Sequence, residues 1–91
     1  MPIPHLLNRT EELRAEQNLL AKAEVDIEQG WTRLRNQQDL LSHMQMTGKE
    51  TREAERLVQL MKRTLLEWER HRRLIEQRVA YLQKAAADNT S

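Results

Sequence analysis

Leu13, Leu20, Ile27, Leu34 and Leu41 stand seven residues apart, and Ala54, Met61, Trp68, Ile75 and Leu82 do the same in the second half of the chain. Two helical turns advance the chain by close to seven residues, so such a repeat keeps one stripe of a helix apolar. Val58, Leu65, Val79 and Ala86 interleave with the later series at spacings of three and four, with Arg72 in the remaining slot. The two halves also match each other. Folding the chain back near positions 47–48 sets Leu13 against Leu82, Leu20 against Ile75, Ile27 against Trp68, Leu34 against Met61 and Leu41 against Ala54, and every pair of numbers adds to 95. A short connection makes consecutive helices antiparallel neighbours. The pattern therefore predicts an all-α fold, an antiparallel, coiled-coil-like hairpin of two helices.

Capping chemistry places the turn independently. The first helix is expected over about 9–45, with Asn8 as its N-cap and Glu11 three residues on. The turn is expected at about 46–49. There Gly48 can supply a left-handed residue that ends the first helix, or Thr47, with Glu50 three residues later, can form a capping box for the second. The second helix is expected over about 50–86. Residues 1–8, with Pro2 and Pro4, read as an N-terminal tail, and 87–91 as a disordered C-terminal tail.

Composition narrows the alternatives. Charged residues make up 32% of the 91-residue chain and aromatics 3%, with no Phe. That favours solvated helices over strands, which draw on β-branched and aromatic residues. Net charge is only +1, and with an apolar repeat this argues against disorder. The chain has no cysteine, which removes disulfides, thiolate chemistry and Cys-built zinc sites. The first residues lack the basic start and apolar run of a signal peptide, and nowhere do eighteen apolar residues follow one another. A cytoplasmic protein without a membrane span is expected.

Gly30 is the exception inside a helix, where it costs roughly 1 kcal/mol relative to Ala. The register puts it one turn from Ile27 and facing Leu65 and Trp68, so it is expected to be a packing notch for the indole. Trp31, opposite Leu65, is expected to fill the other flank. A hinge or ligand notch at this point is the functional alternative. Arg72 takes a seam slot beside Glu24 and is expected to fix register at some cost in stability.

Two helices of roughly 55 Å touch along one stripe, and the sequence holds more apolar residues than that stripe uses. Leu57, Leu60, Leu74 and Tyr81 extend the apolar face of the second helix to one side, with Leu66 on the other, and Leu19 and Leu40 do the same on the first helix. Such a face marks an interaction surface. Dimerisation of two hairpins into a four-helix bundle would cover it. A groove for another protein's helix is the competing explanation.

Candidate chemistry is sparse. Residues 9–45 carry five Lys/Arg against seven Asp/Glu, and 49–84 carry ten against six. Lys62, Arg63, Arg70, Arg73 and Arg78 could contact phosphates, although the register sets Arg78 near Glu16 and Lys84 near Glu11, and no aromatic residues interleave to stack bases. His5, His43 and His71 lie in different parts of the hairpin. Glu67 and His71, four apart, offer a metal only two ligands. There is no phosphate loop, nucleophile elbow or catalytic constellation, so neither an enzyme, a cofactor nor a small-molecule substrate is expected.

Small hairpins of this length resemble, in architecture alone, secreted Trp-x-Gly hairpin proteins and type III secretion co-chaperones. At the turn, where the former carry Trp-x-Gly, this chain has Met46-Thr47-Gly48. The function expected is that of a non-catalytic protein–protein interaction module (adaptor, small chaperone or regulator), a homodimer with a protein partner. A small nucleic-acid-binding regulator and a structural subunit of a larger assembly are the alternatives.

Overall fold

The computed structural model describes the backbone of residues 4–90 and the side chains of residues 9–88. Helix α1 spans Pro4–Met46 and helix α2 spans Arg52–Thr90, and together they form an all-α hairpin. No strand occurs among the described residues.

The turn settles which capping device is used. Gly48 adopts a φ of +71°. Its N–H donates to the Gln45 carbonyl at 3.4 Å, and the Lys49 N–H donates to the Met44 carbonyl at 3.0 Å. Those bonds make a Schellman closure of α1, and the positive φ is why the residue is Gly. The Thr47 hydroxyl reaches back to the His43 and Met44 carbonyls, at 3.0 and 3.2 Å. It is therefore engaged with α1 and does not cap α2, which excludes the alternative Thr47–Glu50 box. Thr51 opens α2 instead: its carbonyl accepts the Glu55 N–H at 2.8 Å, and its hydroxyl contacts the Glu55 carboxylate at 3.3 Å. Glu50 Oε1 accepts the Arg52 N–H at 3.0 Å, satisfying one of the free donors of the first turn. Glu53 and Glu55 in that turn also suit the positive end of the helix dipole.

The outer helix ends lie beyond the expected limits. α1 begins at Pro4 rather than near Arg9, because proline's fixed φ and missing N–H suit the first helical turn. Asn8 is consequently inside the helix and is not its N-cap. α2 continues to Thr90 rather than stopping at Ala86, carried by Ala85, Ala86 and Ala87, the strongest helix formers. Of the two expected tails, residues 1–3 and Ser91 lie outside the described residues.

The residues divide by contact into two units: an end unit of the described residues up to Glu24 with those from Arg70 onward, and a turn unit, Val25–Glu69. In the turn unit Leu34, Val58 and Leu65 form a buried cluster with Leu41 and Met61 packed against it, and Ile27 is also buried. In the end unit Ile75, Val79 and Leu82 are buried, and Leu13 and Leu20 are half-buried. α1 also supplies a row that hydrophobicity does not reveal. Glu16, Ala23, Gly30, Gln37 and Met44, again seven apart, are half-buried or, at Gly30, fully buried. α2 thus brings two rows of mainly large side chains, while α1 brings one such row and one that is mainly small or polar.

Gly48→Ala is expected to lower stability by about 1 kcal/mol, the cost of holding an L side chain in the left-handed region. Gly48→Asn should cost less, because Asn tolerates that region. Urea unfolding of the two variants checks this, and equal losses would argue against a conformational origin.

Candidate interaction surface

The seam itself places most of its expected members inside. Ile27, Leu34, Val58, Leu65, Ile75, Val79 and Leu82 are buried, and Leu13, Leu20, Leu41 and Met61 are half-buried. Trp68 differs, with 38% of its surface exposed. Its position follows from Gly30. A Cβ on Gly30 would lie 2.6 Å from Leu65 Cδ2 and 3.3 Å from Trp68 Cζ3. The bare glycine backbone therefore lets both side chains approach α1 closely, and one indole edge reaches the solvent. Trp31 corrects the expectation made for it. It does not fill a flank of the core; it is 46% exposed and donates its indole N–H to Glu69 Oε1 at 3.2 Å. One residue beyond Gly30 is about 100° further round the helix, and at that edge the indole finds a polar partner and water.

Two cations illustrate the seam's electrostatics. Arg78 Nε lies 3.0 Å from Glu16 Oε1, an ion pair between the helices within the end unit, and the Glu16 side chain is only 18% exposed. Arg72 does not turn to Glu24 across the seam. It pairs along its own helix with Glu76, Nε to Oε1 at 3.3 Å, a spacing of four that helix geometry favours. That contact lacks hydrogen-bond alignment, so the Arg72 Nε–H is buried without a hydrogen-bond partner. The seam carries a desolvated donor there, which costs free energy. Glu11 and Lys84 are both exposed.

Outside the seam, Leu19, Leu40, Leu57, Leu60, Leu66, Leu74 and Tyr81 are all exposed, from 42% at Leu57 to 71% at Tyr81. Val25 and Met46, which the repeat did not single out, are exposed as well. Each unit has its own share of this surface. The turn unit presents Leu57 and Leu60 on α2 with the indole of Trp68, and the end unit presents Leu74 and Tyr81. In the turn unit the glycine leaves a hollow of about 190 Å³ lined by Gly30, Leu60, Met61, Leu65 and Trp68 together with Arg33 and Thr64. Its lining is almost wholly apolar, so it suits an apolar side chain and offers little for orienting a polar substrate.

The candidate phosphate contacts Lys62, Arg63, Arg70, Arg73 and Arg78 are all exposed, but Arg78 is engaged by Glu16 and Arg70 also has a partner. His43 and His71 are exposed and stand in different units, and the His5 side chain lies outside the described residues. Among the described residues no three His, Cys, Asp or Glu side chains gather where they could hold a metal, and no helix is long and apolar enough to cross a membrane. In comparisons with known proteins, no family model, no curated protein and no solved structure matched the chain.

Gly30→Ala gains helix propensity but puts its Cβ 2.6 Å from Leu65 Cδ2, so the packed Leu65 must shift, and overpacking of this kind typically costs about 1–3 kcal/mol. The expected net loss is about 1 kcal/mol after the propensity gain. In a Leu65→Val background the added methyl no longer meets Cδ2, and the loss should vanish. A double-mutant cycle checks the coupling, and identical costs in both backgrounds would sink the notch explanation. Arg72→Leu is expected to stabilise the chain by about 1 kcal/mol, because it removes the desolvated donor and fills the seam. A fall in melting temperature would contradict that.

Proposed function

We propose that the chain is a non-catalytic protein–protein interaction module, an adaptor, small chaperone or regulator, that acts in the cytoplasm through apolar faces of its hairpin. The observation that carries this reading is the set of large apolar side chains left in water outside a seam that is already filled, Leu57, Leu60, Leu74 and Tyr81 foremost. Hydrophobic burial is the main driving force of association, and polar residues around such side chains keep the free chain in solution. Completion of the hairpin to a four-helix bundle by a second copy is the arrangement this geometry favours, since it covers apolar rows that one pair of helices cannot.

Phosphate binding by α2 is a second reading, and one observation favours it. Arg56, Arg63, Arg70 and Lys84 fall on one heptad row of α2, with Gln77 in the remaining slot, and all are exposed. A titration with generic duplex DNA separates the two: binding that weakens steeply as salt rises supports phosphate contacts, and none at low salt removes them.

The interaction reading is tested by charging one exposed leucine in each unit. The double variant Leu60→Glu, Leu74→Glu should keep its far-ultraviolet helical signal, because both positions are exposed. It should lose self-association and the capture of partner proteins from the native host. A double variant that retains the solution mass and the captured proteins of the original chain would overturn the proposal.

A further inference from the structure

We draw no further inference here: the strongest candidate, the apolar hollow beside Gly30 in the turn unit with Leu60 exposed at its edge, belongs to the interaction surface already described, and nothing in the structure shows what covers it.

Discussion

The structure of the turn unit depends on one close approach. At Gly30 there is no side chain, and Leu65 Cδ2 and the edge of Trp68 occupy the space a Cβ would claim. Everything around that layer follows from it. Leu65 can be buried with Leu34 and Val58 because it sinks against the α1 backbone. Trp68 cannot follow completely, since an indole is too large for the room one missing methyl provides, and it remains partly in water. The hollow beside it is what the mismatch leaves. Glycine costs helix propensity, and close packing of two large side chains against backbone offsets that cost.

The same inequality runs along the whole of α1. Its seam rows are one of leucine and isoleucine and one of Glu16, Ala23, Gly30, Gln37 and Met44. A helix so equipped cannot cover a partner that presents two apolar rows and further leucines on one side. Apolar residues of α2 are accordingly left over, and their exposure follows from α1's deficit rather than from unusual hydrophobicity of α2. Polar members of the thin row are put to use. Glu16 pairs with Arg78 between the helices. With the Arg78 side chain 56% exposed, such a pair adds only modest stability.

Much of this was legible in the chain, and the gaps have identifiable causes. The hairpin and its division near position 47 could be read because two heptad series and a glycine signal agree. The notch could be read because a glycine in mid-helix demands a neighbour, and the register named Leu65 and Trp68. The thin row of α1 could not, because a seam of Glu, Ala, Gly, Gln and Met has no hydrophobic signature; only its spacing of seven could have shown it. Trp31 shows that apolar bulk alone does not imply burial, since one residue's rotation puts it at the edge beside Glu69. At Asn8 and Ala86 the end signals are overridden: N-cap preference gives way to proline's fit in the first turn, and an alanine run carries α2 onward. The register offers Arg72 a partner across the seam, but it pairs with a carboxylate one turn along its own helix.

The turn has a kinetic consequence. Only residues 47–51 separate the helices, and closing a loop that short costs little chain entropy. The first pair of seam residues outward from it, Leu41 and Ala54, is also the pair closest in sequence. Each later pair lies further apart along the chain, yet becomes a local neighbour once the one before it has formed. Folding by this route needs no long-range search, which places the hairpin among the low-contact-order topologies that fold fastest.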